Sequence, residues 1–263
     1  MPLPDLSFTI PADCEKGLPA GALVGCAGWT VPKLPAARFA VDGSHLERFA
    51  GRFGAVEINS SFYKPHRAAT YARWAASTPP GFRFSVKVPK TITHEARLAA
   101  PADLLERFAG EAGALGDKLG CVLTQLPPKL LFDAAVADGY FTALRQRFGC
   151  MLACEARHPS WFEKDATALL VAHGITRVIA DPAAGQPGPH VPTSAAIYLR
   201  LHGSPRVYYS TYDDDALHAL GRAIAGQVAA GRQVWCIFDN TLSPTFVEQA
   251  LLLQAAALAS SAA

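Results

Sequence analysis

Seven ionisable residues stand at or just beyond the ends of short apolar runs: Glu57, Lys87, Glu155, Arg157, Arg200, His202 and Asp239. Residues two apart on a strand share a face, so Glu57 points with Asn59, Glu155 with Arg157 and Arg200 with His202. Against an apolar helix layer an ionised group is costly, which directs the whole set inward, toward the open end of the strands. Carboxylate, imidazole and cation converging on one rim suit acid–base chemistry. Glu57 or Glu155 would serve as general base and His94 or His202 as acid partner, with Lys87 and Asp239 completing the catalytic set. Arg157 and Arg200, with Lys87, would hold negative charge on a substrate. The expected binding rim adds Trp29, Asn59, Tyr63, Gln125, His158, Trp161 and Asn240.

Each of these residues has a structural alternative. Glu155–Arg157 and Glu57–Lys87 are at home as ion pairs of a scaffold. Asp181 fits a loop cap, and Trp29, Phe62, Tyr63 and Trp161 fit packing as well as a flat wall for a sugar or ring-shaped ligand. Two carboxylates also leave glycosidase chemistry open. No cofactor is expected, although Glu57, His94, Glu155, His158, Asp181, His202 and Asp239 supply enough donors to keep a divalent ion as an alternative. Against it, no HxH or HExxH element is present and cations sit among the donors. A third alternative is a non-catalytic metabolite sensor, with Lys87, Arg157 and Arg200 as an anion clamp.

The elements that must position these groups alternate along the chain. Eight apolar runs read as strands: Leu23–Ala27, Ala55–Ile58, Phe82–Val88, Leu119–Gln125, Met151–Glu155, Arg177–Asp181, Ala196–Leu201 and Val234–Phe238. Helical spacing fills most gaps, as in Leu46/Phe49/Phe53, Tyr71/Trp74/Ala75, Leu104/Leu105/Phe108, Phe141/Leu144/Phe148, Leu217/Leu220/Ile224 and Phe246–Leu258. Such alternation predicts an α/β fold with a parallel sheet, and eight units predict a (β/α)8 barrel of the TIM type. The stretch from Pro182 to Ser194 is too rich in Pro and Gly for a helix, so an irregular loop is expected between strands six and seven. One domain over residues 22–258 follows, preceded by an N-terminal extension over 1–21.

Composition narrows the function classes. A formal charge of +2 with no Lys/Arg run argues against nucleic acid as a partner. No run approaches a membrane span, and the first residues lack a basic start and apolar stretch, so a cytoplasmic protein is expected. Cys26, Cys121, Cys154 and Cys236 fall within strands and read as buried free thiols. Cys150 and Cys154 would stand roughly 13 Å apart on a strand, too far to share a zinc. No G-x-G-x-x-G or P-loop supports a dinucleotide or nucleoside triphosphate. The expected partner is a small anionic or sugar-like molecule, acted on by a hydrolase, lyase or isomerase; oligomeric state is open.

Several ordered segments carry a resemblance. Gly25-Cys-Ala-Gly-Trp29, Val56-Glu-Ile-Asn-Ser-Ser-Phe-Tyr63, Phe82-Arg-Phe-Ser-Val-Lys87 and Thr93-His94 come first. Leu119–Pro128, Glu155-Ala-Arg-His-Pro-Ser-Trp161, Tyr198-Leu-Arg-Leu-His-Gly203 and Phe238-Asp-Asn240 complete the set. Together they resemble the DUF72 (YecE-like) family from about residue 22 to 255. The resemblance implies a TIM-barrel fold and no assigned activity. Two stretches depart from the family pattern: Val31-Pro-Lys-Leu-Pro35, where an aromatic cluster is usual, and Thr241-Leu-Ser-Pro-Thr-Phe246. Both would reshape the mouth of the site.

Overall fold

The computed structural model describes residues 3–10, 19–31, 37–99, 102–243 and 245–261. Nine strands form, each in an apolar run: β1 (Gly21–Cys26), β2 (Ala55–Ile58), β3 (Arg83–Lys87), β4 (Leu119–Gln125), β5 (Met151–Glu155), β6 (Ile175–Arg177), β7 (Ile179–Asp181), β8 (Ile197–Leu201) and β9 (Gln233–Phe238). Between them lie α1 (His45–Ala50), α2 (Ser60–Tyr63), α3 (Ala68–Ala76), α4 (Ala102–Ala112), α5 (Ala134–Arg147), α6 (Lys164–Ala172), α7 (Asp214–Ala229) and α8 (Phe246–Ser261). Starts are chemically marked where the chain must turn sharply. Ser44 and Glu47 form a reciprocal capping box on α1, and Asp133 and Asp213 cap α5 and α7.

All strand pairings are parallel, in two sheets ordered β1-β9-β8-β7 and β2-β3-β4-β5-β6. The strands thus form an α/β arrangement of two parallel sheets, where the sequence predicts one closed eight-stranded sheet. The sixth apolar run starts earlier than its sequence suggests and splits at Val178 into β6 and β7. The physical cause of the split is a loop side chain. Thr193 Oγ1 accepts the Arg177 N–H at 2.9 Å and donates to the Ile175 carbonyl at 2.6 Å, capping an edge that would otherwise meet β8. At the other junction, β1 and β2 share a single parallel bridge, Ala27 with Glu57.

Parity divides the interior into two apolar clusters. Val122, Leu152, Cys154, Leu199, Val234, Cys236 and Phe238 join the large cluster with the helices. Their neighbours Cys121, Leu123, Ala153, Tyr198, Trp235 and Ile237 form a smaller cluster on the opposite strand face. That smaller cluster is the floor on which the polar residues rest. The expected irregular loop is present: no helix stands between β7 and β8 among the described residues. Its place is partly taken by the N-terminal segment. Leu6 and Ile10 are buried, Gln227 Nε2 of α7 donates to the Leu6 carbonyl at 2.6 Å, and Phe8 packs on His190 with ring centroids 5.0 Å apart.

Candidate functional site

Following the inner face of each strand to its C-terminal end leads to one cluster. Glu57 lies on β2, Ser85 and Lys87 on β3, Gln125 on β4, Glu155 on β5 and Arg200 on β8. His202 and Asp239 follow β8 and β9 by one residue each. All eight are buried. Arg200 is the hub. Its Nη2 donates to Glu57 Oε1 at 2.6 Å and to Asp239 Oδ2 at 2.8 Å, its Nε to Glu57 Oε2 at 3.0 Å, and its Nη1 to Glu155 Oε2. Gln125 Oε1 stands at the edge of reach, 3.5 Å from Nη1. Arg157 closes on the outer oxygen of Glu155 through Nε and Nη2, both at 2.7 Å. Tyr198 donates to Glu57 Oε2 at 2.9 Å and meets Ser85 Oγ at 2.8 Å. Asn59 Nδ2 donates to Asp239 Oδ1 at 3.2 Å.

The electrostatics follow from this geometry. Burial on its own would raise the Glu155 and Asp239 carboxyls. The adjacent Arg200 and His202 reverse that and hold both below the usual carboxylate range, Glu155 far below it. Burial would lower the His202 imidazole, yet Glu155 and Asp239 raise it. His202 Nδ1 lies 2.9 Å from Asp239 Oδ2 and Nε2 lies 3.4 Å from Glu155 Oε1, ion-pair contacts whose angles fall short of hydrogen bonds. The three carboxylates are therefore engaged by cations, which disfavours Glu155 as a proton acceptor.

Lys87 behaves differently. It is 5% exposed, and its Nζ sits 4.4 Å above the Phe62 ring with no hydrogen bond or ion pair among the described residues. Burial, reinforced by Arg200, lowers it to about 8 against the opposing pull of Glu57, Asp239 and Glu155. His94, on a π-helical turn over Thr91–Glu95, packs edge-on against the same Phe62 ring at 4.9 Å. Its Nδ1 is 2.9 Å from Thr93 Oγ1, whose hydroxyl is directed to the Pro89 carbonyl at 3.3 Å. Thr93 thus accepts from Nδ1–H, which leaves Nε2 as the basic nitrogen. Burial, with Lys87 and Arg157 nearby, lowers the imidazole and favours its neutral form.

The remaining expected residues separate into rim and scaffold. Trp29 packs edge-on against Trp74 at 4.9 Å, and Tyr63 is largely exposed beside Phe62. His158 accepts from Ser160 N at 3.3 Å and caps the turn Pro159–Phe162. Trp161 and Asn240 belong to the scaffold rather than to a ligand rim. Trp161 is buried in the large cluster and donates to the Leu130 carbonyl at 3.0 Å. Asn240 donates to the Ser210 carbonyl and to Gln249 Oε1 at 3.0 and 3.2 Å, joining a loop to α8. Of the departing stretch Val31–Pro35, residues 32–35 lie outside the described residues, as does Pro244 of the second stretch.

Three contributors, Tyr198, Ser85 and Tyr208, were not singled out as site residues from sequence, and Phe62 was named only as packing or wall. Tyr198 and Ser85 carried a signal, since each lies two residues before a named neighbour on the same strand face. Phe62 joins the site through α2, which Ser61 fixes by donating to the Lys87 carbonyl at 2.7 Å. Tyr208, at φ 70° with its ring 6.1 Å from His202, rests on an irregular loop that no periodicity marks. Among the described residues no three His, Cys, Asp or Glu are arranged to hold a metal ion, and no helix is long and apolar enough to cross a membrane.

The sequence profile of the family described as "Protein of unknown function DUF72" matches residues 23–262. The chain is 31% identical to the UPF0759 protein YecE of Escherichia coli (strain K12) over 164 residues, 60% of this chain and 58% of that protein. It is also 31% identical to the UPF0759 protein YunF of Bacillus subtilis (strain 168), over 44% of each chain. The matched part thus spans little more than half the length of the first of these relatives. A DUF72 family protein from Enterococcus faecalis superimposes with a TM-score of 0.75 at 19% identity, covering 90% of this chain and 96% of that one. One from Thermotoga maritima gives 0.72 at 23% identity, covering 89% and 98%.

Proposed function

The chain belongs to the DUF72 family, whose function is unknown, and from its site we propose an enzyme that acts by acid–base chemistry on a small anionic molecule. One observation carries this reading. At the strand ends Glu57, Glu155 and Asp239 are tied to Arg200, while Lys87 and the Nε2 atom of His94 stand unbonded over one aromatic ring. A network built for stability alone would leave no buried amine without a counter-ion. Lys87 and His94 form a proton donor–acceptor pair, and the engaged carboxylates fix Arg200, Arg157 and His202 rather than taking protons themselves.

Charge balance gives the substrate class. Glu57, Glu155 and Asp239 are faced by the basic groups Arg200, Arg157 and His202, and Lys87 adds a further basic group that no carboxylate binds. A carboxylate or phosphate brought to the site meets Lys87 and the outer edge of Arg157. The frame for this site is an eight-stranded barrel in which β6 and β7 act as one strand interrupted at Val178. The single Ala27–Glu57 bridge and the contacts of Arg200 and Tyr198 with Glu57 across the two sheets support it. A cytoplasmic setting suits the five free cysteines described.

Thermal denaturation with a panel of small carboxylates, phosphates and sugar phosphates tests the proposal. A ligand at a hundred times its Kd should add about 2.7 kcal/mol of stability, and Arg157→Ala should abolish most of that gain. Stabilisation by neutral sugars alone, or none by any anion, would overturn it. Binding without turnover under any condition would convert the enzyme reading into the sensor reading.

A further inference from the structure

Lys87 combines features that proton transfer alone does not require. It is deeply buried, its nitrogen faces an aromatic ring instead of a carboxylate, and a guanidinium from β8 lies close enough to oppose its protonation. Desolvation and an adjacent cation are the two means by which proteins keep a lysine amine nucleophilic. Arg200 cannot turn toward Lys87 to relieve that repulsion, since three carboxylates hold it in place. A basic imidazole nitrogen shares the ring on which the amine rests.

We propose that Lys87 is a covalent catalytic residue that condenses with the carbonyl of a small 2-oxo acid or other anionic aldehyde or ketone to form an imine. This rests on the small-anion reading of the same site. The free amine attacks the carbonyl carbon, forming the C–N bond while the carbonyl π pair moves to oxygen. His94 Nε2 takes a proton from the new ammonium nitrogen and delivers it to the alkoxide, giving the neutral carbinolamine. A second proton, drawn from solvent, goes to the hydroxyl, which leaves as water as the nitrogen lone pair forms the protonated C=N bond. No oxidant or reductant enters. Arg157, which shares the neighbourhood of His94 and Tyr208, holds the carboxylate or phosphate of the substrate. The protonated imine then serves as an electron sink for bond cleavage or proton exchange at the adjacent carbon, a lyase or isomerase outcome.

The test is reductive trapping on the intact protein. Pyruvate and glyoxylate are supplied as probes with borohydride, and adducts are read by mass and peptide mapping. A single adduct at Lys87 is expected. An amine at about 8 is free at neutral pH roughly two orders of magnitude more often than an ordinary lysine, so Lys87 should outcompete exposed Lys64 and Lys129. The trapping rate should rise with pH and level off near 8, while labelling of surface lysines continues to climb. The groups facing Lys87 during that titration are Arg200 of β8, Glu57 of β2, Glu155 of β5, Asp239 after β9 and His94. Lys87→Arg keeps the charge and should lose the adduct; the position of the adduct in the unmodified sequence stands as evidence even where that variant fails to fold.

Absence of label at Lys87, with anion stabilisation intact and sensitive to Arg157→Ala, would overturn the imine and leave the small-anion site standing. Loss of both would overturn the site itself. Equal labelling across surface lysines would also reject Lys87 as the nucleophile.

Discussion

Arg200 shows how a single residue can organise a site without being free to react in it. Its planar fork meets Glu57, Glu155 and Asp239 in three directions at once, which a lysine's point charge cannot reproduce. Arg200→Met should cost roughly 3–5 kcal/mol because three buried carboxylates lose their cation. Arg200→Lys should recover only part of that loss, and denaturant melts of the two variants check both statements. A Lys variant as stable as the parent would mean that the fork geometry is unimportant. Parity alone places Glu57, Glu155, Arg200 and His202 on one face, so the membership of this network is legible in the sequence. Its wiring is not. Glu57 is as close in strand order to Lys87 as a salt bridge would suggest, yet it pairs with Arg200 across the two sheets, a choice made by three-dimensional proximity. His94, Thr93 and Phe62 lie on turns without strand period, so their convergence on Lys87 could not be read from spacing.

At the level of elements, the informative feature is the stretch that failed to become a helix. Pro and Gly density from Pro182 onward is a local property, and it was sufficient to predict an irregular loop. That the loop also splits the sixth strand depends on where the Thr193 hydroxyl lands, and Thr193 is sixteen residues beyond the backbone it caps. The same loop supports Arg157. Gly185 has φ +73°, and a Cβ there would come 2.3 Å from the Arg157 carbonyl oxygen. Gly185→Ala should therefore push the loop off the Arg157 backbone and destabilise the protein by about 1–3 kcal/mol. It should also weaken anion-induced stabilisation. Gly188→Ala in the same loop meets nothing within 4 Å and should be silent, which makes it the control. Equal behaviour of the two variants in a thermal-shift titration would show that the loop does not position Arg157.

Across the whole molecule, the missing crossover helix leaves a flank that some other part of the chain must cover. Alternation of strands and helices is visible in the sequence because each unit is local. The cover for this flank is not, because it comes from residues 3–10, nearly two hundred positions away. Leu6 and Ile10 are buried there, the Leu6 carbonyl accepts from Gln227 of α7, and Phe8 packs at a tilt against His190 of the irregular loop. Burial also pushes His190 down to about 4, the behaviour of an imidazole kept neutral beneath this cover. Removing residues 1–10 exposes that apolar flank, but the ordering entropy of the segment is recovered at the same time, so the net loss should be modest, about 1–2 kcal/mol. For a chain of this size that corresponds to a Tm roughly 2–8 °C lower, accompanied by binding of a hydrophobic dye and a His190 that titrates closer to its ordinary value. The site at the strand ends does not use the segment, so anion stabilisation and trapping at Lys87 should survive the truncation. A truncated protein that melts unchanged would mean that residues 3–10 decorate the flank without closing it. One that folds but no longer binds anions would mean that the cover and the site are coupled through the loop carrying Gly185.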